Sequence, residues 1–531
     1  MYKILIADSL DPAGLVKLRE SGAEVHEVTA EEKPRLPEIL ADYDALVVRS
    51  STQVTAELMR AGKRLKVVGR AGIGVDNVDV AAATELGILV VNAPTANLVS
   101  ATEHTFALLF ALARKVPFAD ASMKAGKWDR KITGLELQDK TIGIIGFGRI
   151  GQKVAARARA FDMKVLAFDP FLDANAARRL EVELVSLEDL LRRSDVLTFH
   201  TPLTEQTRNL LNRERIATMK KGALVINVGR GGVVDEAALL EALESGHLGG
   251  AALDVFAEEP PKDLTLIRHP KVVATPHLGA QTREAQERIS TETADMLLAA
   301  LSGSLAVAAV NLPFRAAGPK VAPYMELGET LGRMAAQLLD AGPQRLQVDL
   351  WGVEEGMHTP VTMAVLMGVL ATFLRNDMVN YVNAERLAAS RHIAVVRSVH
   401  TEESDYPNLV GVTLSGGDRT VELGGTLFGE RDPRVVRFGG FRFEFHPEGN
   451  LLFVENQDVP GVVGKVGTLL ADNGINIADI HLARTGRVGP GGEREALAVL
   501  RLDQEMPEEL LGKLIEIGVV RSAHRVDLTK R

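Results

Sequence analysis

The first 310 residues alternate short runs of Val, Ile and Leu with segments of helical periodicity. The runs include KILIAD, ALVVRS, KVVGRAG and ILVVNAP before residue 100, and TIGIIGFG, KVLAFDP, VLTFHTP, GALVINVGR and KVVATPH after it. Strands that are apolar throughout are buried on both faces, and strands separated by helices pair in parallel. This part of the chain is therefore predicted to form two α/β units in succession, each with a doubly wound parallel sheet.

The pattern changes after residue 314. Residues 320–391 are predicted to be mostly helical, and residues 393–449 to hold several strands separated by turn signals such as SGGD and HPEGN. The last eighty residues follow the order strand, helix, strand, strand, helix, strand, which is the ferredoxin-like pattern. The predicted fold class is α/β, with two doubly wound units, an α+β intervening unit and a C-terminal ferredoxin-like unit.

The composition restricts the possible partners. Among 531 residues, 61 Lys and Arg stand against 70 Asp and Glu, a net charge of −9 that argues against nucleic acid or an anionic membrane as a partner. With no cysteine, disulfides and thiolate chemistry are excluded, and no metal is expected. The start, MYKILIADSL, is typical of a strand rather than a signal peptide, and residues 360–374 are too few to span a bilayer. We therefore expect a cytoplasmic protein, with 360–374 as a core helix.

A glycine-rich turn follows the first strand of the second unit. TIGIIGFGRIG places Gly146, Gly148 and Gly151 in the spacing GxGxxG, and the helical segment QKVAARARAF comes next. Such glycines let the backbone approach a pyrophosphate, to which the helix N-terminus offers free N–H groups. Asp169 ends the next strand, where a carboxylate accepts ribose hydroxyls and repels a 2′-phosphate. The sequence therefore predicts NAD, rather than NADP, as cofactor.

Three charged or titratable side chains follow other strands of the same sheet: Arg230, Glu259 and His277. Because the carboxyl ends of parallel strands form the ligand crevice, these side chains are expected to converge. A histidine oriented by a carboxylate accepts a proton near neutral pH, and a guanidinium binds a substrate carboxylate. Beside a nicotinamide site, this set predicts oxidation of a secondary alcohol, with His277 as the base.

Six motifs in order, GRAGIGVDNVD, NAPTANLVSATEHT, GFGRIG, NVGRGGVVDE, DVFAEEPP and TPHLGA, resemble those of the D-isomer specific 2-hydroxyacid dehydrogenases over about residues 3–312. The resemblance implies two Rossmann or flavodoxin-like domains: 1–98 with 283–312 for substrate, and 99–282 for NAD. It implies an acid/base pair of His277 and Glu259, with Arg230 on the substrate. The implied cofactor contacts are Gly146, Gly148, Arg149, Ile150, Gly151, Asp169, Thr201, Val228, Gly229, Asp254, Gly279 and Ala280.

The same resemblance implies that loops of the first unit recognise the acid substrate. Two positions depart from the family: Gly229 where Ala is frequent, and Ile73 where Thr is frequent, so that one side-chain hydrogen bond to the cofactor is in question. Arg130 resembles a position that in some relatives reaches the site of a neighbouring subunit. The implied substrate residues are Arg49, Arg70, Gly72, Ile73, Gly74, Asn97 and Arg130.

The C-terminal 220 residues narrow the resemblance to the long members of the family. NYVNAERLAASRHI resembles their intervening domain, expected at 315–448, and the segment from VENQDVPG resembles an ACT regulatory domain, expected at 450–531. Those members oxidise 3-phospho-D-glycerate to 3-phosphooxypyruvate, the first step of L-serine biosynthesis. The resemblance therefore implies this substrate, a homo-oligomer (dimer or tetramer) and L-serine as effector, with Asn456, Asp458 and Asn476 as its ligands.

Alternative functions stay open at this point. Another 2-hydroxyacid dehydrogenase, such as a hydroxypyruvate or glyoxylate reductase, shares the active-site motifs, although short relatives of this kind lack both C-terminal modules. A non-enzymatic NAD-sensing scaffold is a different class, and the presence of Arg230, Glu259 and His277 argues against it. The ACT-like segment itself either binds serine or serves only in oligomerisation.

Overall fold

The described part of the chain is organised around four β-sheets. The computed structural model describes residues 1–172, 174–303, 309–314, 320–374, 379–402, 404–488 and 494–529, without the side chains of 174–176 and 486–488. Two parallel sheets come first along the chain, followed by a mixed sheet and an antiparallel sheet. This is the predicted α/β fold class with its two additional C-terminal units.

The first sheet has five parallel strands in the order β2-β1-β3-β4-β5. Its central strands are apolar and almost wholly buried because helices cover both faces. Short 3₁₀ turns at Lys33–Arg35 and Leu40–Asp42 flank the second helix. The elements are β1 (Lys3–Ile6), α1 (Pro12–Glu20), β2 (Glu24–Glu27), α2 (Leu36–Ile39), β3 (Ala45–Val48), α3 (Ala56–Ala61), β4 (Val67–Arg70), α4 (Val80–Glu85) and β5 (Leu89–Asn92).

The second sheet has seven parallel strands in the order β12-β11-β10-β9-β6-β7-β8, so the chain reverses direction across the sheet between β6 and β9. Ligands of such sheets bind outside the carboxyl ends of the strands at this switch point. The elements are α5 (Leu98–Ala113), α6 (Val116–Lys124), β6 (Thr141–Ile145), α7 (Arg149–Ala160), β7 (Lys164–Phe168), α8 (Ala174–Arg179), β8 (Glu183–Leu184), α9 (Leu187–Arg193), β9 (Val196–Phe199), α10 (Arg213–Thr218), β10 (Leu224–Asn227), α11 (Glu236–Glu244), β11 (Gly250–Leu253) and β12 (Val272–Ala274).

The next helix, α12 (Arg283–Leu301), returns the chain to the first sheet. Its Leu297 belongs to the apolar core formed with β1, β3 and β4. Gly14 of α1 donates its N–H to Ser290 Oγ at 3.1 Å, and a Cβ at Gly14 would lie only 2.1 Å from that oxygen. The first unit is therefore completed by a helix from beyond the second.

The intervening unit packs two helices on a six-stranded mixed sheet of order β14-β13-β15-β16-β17-β18, in which only β13 and β14 are parallel. The prediction that 320–391 is mostly helical missed β13, although its side chains alternate between exposed and buried as in a strand. The elements are α13 (Val321–Leu339), β13 (Arg345–Trp351), a 3₁₀ turn (Glu355–Met357), α14 (His358–Phe373), α15 (Ala384–Ser390), β14 (Ala394–His400), β15 (Leu409–Gly416), β16 (Arg419–Phe428), β17 (Asp432–Phe438) and β18 (Phe441–Phe445).

Helix α14 is the apolar helix expected in the core. Within the described residues, the stretch Glu355–Phe373 is the one long and apolar enough to cross a membrane, and 61% of its apolar window is buried inside the protein. Gly332 of α13 and Gly368 of α14 allow close contact, since a Cβ on either would lie about 2 Å from a carbonyl oxygen of the other helix. The helix is therefore half of a tightly packed pair.

The last sheet is antiparallel, with the order β20-β21-β19-β22, and carries two helices. Numbered within this unit the order is 2-3-1-4, which is the predicted ferredoxin-like arrangement. The elements are β19 (Asn450–Gln457), α16 (Val462–Asp472), β20 (Ile477–Val488), β21 (Arg494–Leu502), α17 (Glu509–Ile515) and β22 (Val520–Asp527).

Candidate active site and cofactor cleft

The glycine turn between β6 and α7 has the geometry that a pyrophosphate requires. Gly146 has φ +87°, and a Cβ there would lie 2.5 Å from the carbonyl oxygen of His200. A Cβ on Gly151 would lie 2.3 Å from the carbonyl oxygen of Gly146, so this glycine sets the close approach of helix to turn. A Cβ on Gly148, directly before α7, would have no heavy atom of the described residues within 4 Å beyond its chain neighbours and the backbone of α7 itself. The first and third glycines are thus needed for packing, and the second leaves room for a ligand at the helix N-terminus.

Asp169, one residue beyond β7, lies beside this turn. Its two carboxylate oxygens accept hydrogen bonds from the N–H of Phe147 at 2.7 Å and of Phe171 at 2.9 Å. A carboxylate has about four acceptor positions, so each oxygen can accept a further hydroxyl. The residues present therefore fit an adenosine ribose next to the pyrophosphate turn.

Other residues predicted to contact the cofactor lie just beyond the carboxyl ends of strands β6, β9 and β10. Arg149 opens α7, and its guanidinium lies 3.4 Å from the carbonyl oxygen of Pro94 in the first unit. Ile150 and Val228 pack at the border of the apolar core, and Thr201 lies two residues beyond β9. A Cβ on Gly229 would lie 2.8 Å from the carbonyl oxygen of Phe199, so the glycine suits its tight position.

His277 and Glu259 form a direct pair. His277 Nδ1 lies 2.7 Å from Glu259 Oε2, and the other carboxylate oxygen accepts the N–H of Phe256 at 3.0 Å. The hydrogen bond to Glu259 raises the pKa of His277 despite the opposing effect of burial. Burial raises the pKa of Glu259, but the hydrogen bonds from His277 and Phe256 outweigh it and the net shift is downward. The pair can therefore hold a proton on His277, whose side chain is about half exposed.

His277 sits in a strained turn that Asp254 holds in place. The backbone φ of His277 is +55°, a left-handed conformation that costs energy for a residue other than glycine. The wholly buried Asp254 accepts the N–H of Leu278 at 2.7 Å and of Gly279 at 2.8 Å, and the His277 N–H donates to the Asp254 carbonyl at 2.9 Å. Asp254, predicted to contact the cofactor, is thus in this structure the acceptor that shapes the turn.

Two guanidinium groups meet across the cleft between the two parallel-sheet units. Arg70 ends β4 and Arg230 follows β10, and glycines make room for both: a Cβ on Gly72 would lie 1.6 Å from Arg70 Nη1, and one on Gly74 would lie 2.0 Å from Arg230 Nη2. Burial and then the charge of Arg230 lower the pKa of Arg70 to about 10. The buried Arg70 Nε has no hydrogen-bond partner. Two confined positive charges and an unused donor are typical of a site for an anion.

Other predicted substrate residues lie just beyond strands of the first unit or before α5. Arg49 follows β3, and its N–H donates to the buried Asp8 at 2.7 Å. The carbonyl oxygen of Ile73 accepts a hydrogen bond from Asn92 Nδ2 at 2.5 Å. Asn97, at the start of α5, has a buried amide oxygen without a partner. Ala280, predicted to contact the cofactor, lies beyond the turn that holds His277 and packs on the core of the first sheet.

Arg130 does not join this cluster within one chain. It is exposed in the segment between α6 and β6, and no hydrogen bond or ion pair among the described residues holds it. The prediction that it acts at a neighbouring subunit's site stays a prediction.

Two residues that no sequence pattern indicated are in contact with predicted site residues in this structure. Asp76 Oδ2 lies 3.2 Å from Arg230 Nε, and His104 Nε2 lies 3.1 Å from Asp254 Oδ1. Both lie inside motifs quoted above, GRAGIGVDNVD and NAPTANLVSATEHT. Their spacing along the chain gives no sign that they contact Arg230 and Asp254, because each partner lies on a different element more than a hundred positions away.

In the C-terminal unit, the predicted serine ligands do not converge within one chain. Asn456 and Asp458 lie at the end of β19 beside Gly461, in a cavity of about 600 Å³, and Asp458 Oδ2 is 3.1 Å from Arg484 Nε. Asn476 precedes β20, where it donates to Asp503 Oδ2 at 2.6 Å. Because the next residue, Ile477, pairs with Leu502, which also pairs with Asn450, Asn476 is at the opposite end of the sheet from Asp458.

Comparison with known proteins agrees with this organisation. Residues 106–279 match the model of the D-isomer specific 2-hydroxyacid dehydrogenase NAD binding domain, 320–439 that of the D-3-phosphoglycerate dehydrogenase intervening domain, and 450–519 that of the ACT domain. The prediction of NAD as cofactor is confirmed by the first of these matches.

The similarity to curated proteins extends over the whole chain. The D-3-phosphoglycerate dehydrogenase of Bacillus subtilis is 40% identical over 532 residues, and that of Methanocaldococcus jannaschii is 42% identical over 533 residues. Each alignment covers 99% of this chain and 100% of the relative.

Solved structures match the first two units. The TT0316 protein of Thermus thermophilus is 40% identical, with a TM-score of 0.53, over 57% of this chain and 97% of that one. An Aquifex aeolicus D-lactate dehydrogenase, solved with NAD and lactic acid, is 31% identical with a TM-score of 0.51 over 57% of this chain and 96% of its own. With relatives of this identity along its full length, the chain belongs to the D-3-phosphoglycerate dehydrogenases within the D-isomer specific 2-hydroxyacid dehydrogenase family.

Proposed function

We propose that this chain is a cytoplasmic enzyme that oxidises 3-phospho-D-glycerate to 3-phosphooxypyruvate with NAD, the first step of L-serine biosynthesis. The observation that carries the proposal is the 2.7 Å pair of His277 and Glu259 at the cleft where Arg70 and Arg230 meet. The full-length similarity to D-3-phosphoglycerate dehydrogenases supports the phosphorylated acid over other 2-hydroxy acids.

The substrate would be held by the positive groups of the cleft. Arg230 binds the carboxylate and polarises the carbonyl that develops at the neighbouring carbon, and Arg70 with the Gly72–Gly74 backbone completes the anion site. Arg49 lies at the end of the adjacent strand β3, where it adds positive charge for the phosphate. The ion pair of Arg230 with the exposed Asp76 is then exchanged for one with substrate.

Proton removal is assigned to His277. Its Nδ1 is occupied by Glu259, so Nε2 takes the proton from the substrate hydroxyl as the carbon–hydrogen bond is broken. Bound NAD supplies the hydride acceptor. Glu259 orients the ring and stabilises the imidazolium that forms, without itself taking the proton.

The first experiment is NADH production by the purified protein with 3-phospho-D-glycerate and NAD. Glyoxylate and hydroxypyruvate, with NADH, form the comparison panel. We expect turnover of the phosphorylated acid with the highest kcat/KM. Activity confined to the unphosphorylated acids would assign the chain to another 2-hydroxyacid dehydrogenase activity, and absence of turnover with all three would favour the scaffold function.

The rate of oxidation should rise with pH through the pKa of His277. Since Glu259 raises this pKa above 6.5, the midpoint of the rise in kcat/KM is expected above pH 6.5. In Glu259→Gln the carboxylate is lost, so the midpoint should move to lower pH while the plateau rate falls. Glu258→Gln, which removes the neighbouring exposed carboxylate paired with Lys262, should leave the midpoint in place. A rate independent of pH from 6 to 9 would contradict His277 as the base.

We also propose L-serine as an effector of the ACT unit, in a homo-oligomer. Gly461 has φ +93° and directly precedes α16, so its turn can present N–H groups to an amino-acid carboxylate. Asp458 would accept the ammonium group, with Asn456 beside it. Asn476, at the other end of the sheet, reaches this ligand only from a second copy of the chain.

Serine binding is tested by adding L-serine to the NADH assay. Inhibition is expected in the unmodified enzyme, and Asp458→Ala should abolish it while leaving the uninhibited rate unchanged, because Asp458 lies far from His277 in the chain and in another sheet. D-serine serves as control. Activity indifferent to L-serine would leave the catalytic proposal intact and assign the ACT unit to oligomerisation alone.

A further inference from the structure

We infer that His104 is a positioning residue for the catalytic turn: it donates a hydrogen bond that holds Asp254 and Thr275, and through them His277. The inference rests on the proposed role of His277 as base. His104 lies on α5, in the segment NAPTANLVSATEHT, and no catalytic, cofactor or substrate role was assigned to it above.

The direction of the hydrogen bonds follows from chemistry. His104 Nε2 lies 3.1 Å from Asp254 Oδ1 and 3.0 Å from Thr275 Oγ1, while Thr275 Oγ1 is itself 2.6 Å from Asp254 Oδ1. An ionised carboxylate only accepts, so the threonine hydroxyl donates its proton to Asp254. The two oxygens that face His104 are therefore both acceptors, and the tautomer with hydrogen on Nε2 is the one that satisfies them.

Water cannot take the place of His104 as a hydrogen-bond donor to Asp254. Asp254 is 0% exposed, and an ionised carboxylate without water needs every available donor. Its donors are His104, Thr275 and the N–H groups of Leu278 and Gly279. Burial raises the pKa of Asp254, and the hydrogen bonds from His104, Thr275 and Leu278 lower it below its ordinary value. Loss of the His104 donor would leave the Asp254 carboxylate less firmly held, and this carboxylate also accepts the backbone N–H groups of the turn.

The same face of α5 contacts the turn a second time. Ser100, one helical turn before His104, donates its hydroxyl to the carbonyl oxygen of Gly279 at 2.8 Å. Helix α5 begins next to Asn97, whose buried amide oxygen is unpaired on the substrate side. The helix thus has both a predicted substrate residue at its start and two supports for the turn with His277 along one face.

This arrangement explains how a histidine keeps a left-handed φ of +55°. Such a conformation persists only where the surroundings enforce it. Hydrogen bonds from the His277, Leu278 and Gly279 amides to Asp254 fix the backbone, and His104 fixes Asp254 in turn. A small displacement of the imidazole would separate Nε2 from the substrate hydroxyl, and misplacement of about 1 Å can cost about 100-fold in rate.

The test compares His104→Met with His104→Gln in the full-length protein. The two replacements have nearly the same shape, but only Gln carries an N–H donor at its end. The Met variant is expected to lose about 10- to 100-fold in kcat for 3-phospho-D-glycerate oxidation, with little change in the KM of that substrate, and the Gln variant to stay within about threefold of the unmodified enzyme. Unchanged kcat in the Met variant, or an equal loss in both folded variants, would overturn the inference.

Hydrogen exchange supplies a readout that does not depend on the substrate. Amides of residues 277–279 are expected to exchange about tenfold faster in the Met variant and at the original rate in the Gln variant. If the Met variant does not fold, exchange in the Gln variant still tests the inference. Protected amides at 277–279 in that variant support the need for a donor at position 104, and rapid exchange overturns the inference. If the amides of the unmodified protein are protected but the protein shows no turnover, the proposed function is refuted, while the role of His104 in holding the turn is not. Failure of the inference and failure of the proposed function are therefore distinguishable.

Discussion

His277→Ala is expected to lower kcat for 3-phospho-D-glycerate oxidation by about two to four decades, the usual contribution of a general base. Without the imidazole, the hydroxyl proton must pass to water while the carbon–hydrogen bond breaks. The KM of the substrate should change little, because the charges that hold it come from the arginines of the cleft. Initial rates of NADH formation, measured at saturating NAD between pH 6 and 9, provide the test.

A second His–Glu pair offers a matched control. His26 Nε2 lies 3.1 Å from Glu32 Oε2 near the edge of the first sheet, so His26→Ala removes the same kind of contact away from the cleft. We expect its kcat to match that of the unmodified enzyme. If His277→Ala and His26→Ala had the same near-normal kcat, His277 would not be the base.

Arg230→Ala is expected to lower kcat/KM by about two to three decades, because the side chain both holds the carboxylate and stabilises charge at the developing carbonyl. Arg230→Lys should recover only part of this loss, since an ammonium group is a single point charge and lacks the planar fork that binds a carboxylate with two hydrogen bonds. Both kcat and KM should change, and steady-state kinetics with varied substrate measure them separately.

Arg213→Ala is the control for this series. Arg213 pairs with Glu241 at the protein surface, so its removal tests the general effect of losing one arginine and one ion pair. Surface pairs contribute about 1 kcal/mol or less, and we expect unchanged kinetics. An Arg230→Ala enzyme as active as Arg213→Ala would exclude Arg230 from the substrate site and leave Arg70 as the principal anion-binding group.

The convergence of the three predicted catalytic residues at one edge of a sheet was predictable, because each follows a strand that the sequence marks locally. Arg230, Glu259 and His277 each follow an apolar strand, and the carboxyl ends of parallel strands share one edge of a sheet. The glycine turn was predictable for a related reason: the positive φ of Gly146 and the close contacts of Gly151 can be satisfied only by glycine, which leaves a pattern in the sequence.

Contacts between distant segments were not predictable in this way. His104 approaches Asp254 across 150 positions, and Asp76 approaches Arg230 across 154. A helix or loop residue carries no periodic signal for a partner on an element distant in the chain. The strand β13 was missed for a different reason, because its alternating pattern is short and lies between two long helical segments.

The sequence by itself determined most of the order of strands and helices, the family and the cofactor, because periodicity, glycine spacing and motif order are local properties of a chain. Only the tertiary structure decided which groups touch: the 2.7 Å pair of His277 and Glu259, the ion pair of Arg230 with Asp76, and the hydrogen bond between His104 and Asp254. It also placed Asn476 and Asp458 at opposite ends of one sheet, since strand register, and not distance along the chain, sets which ends meet.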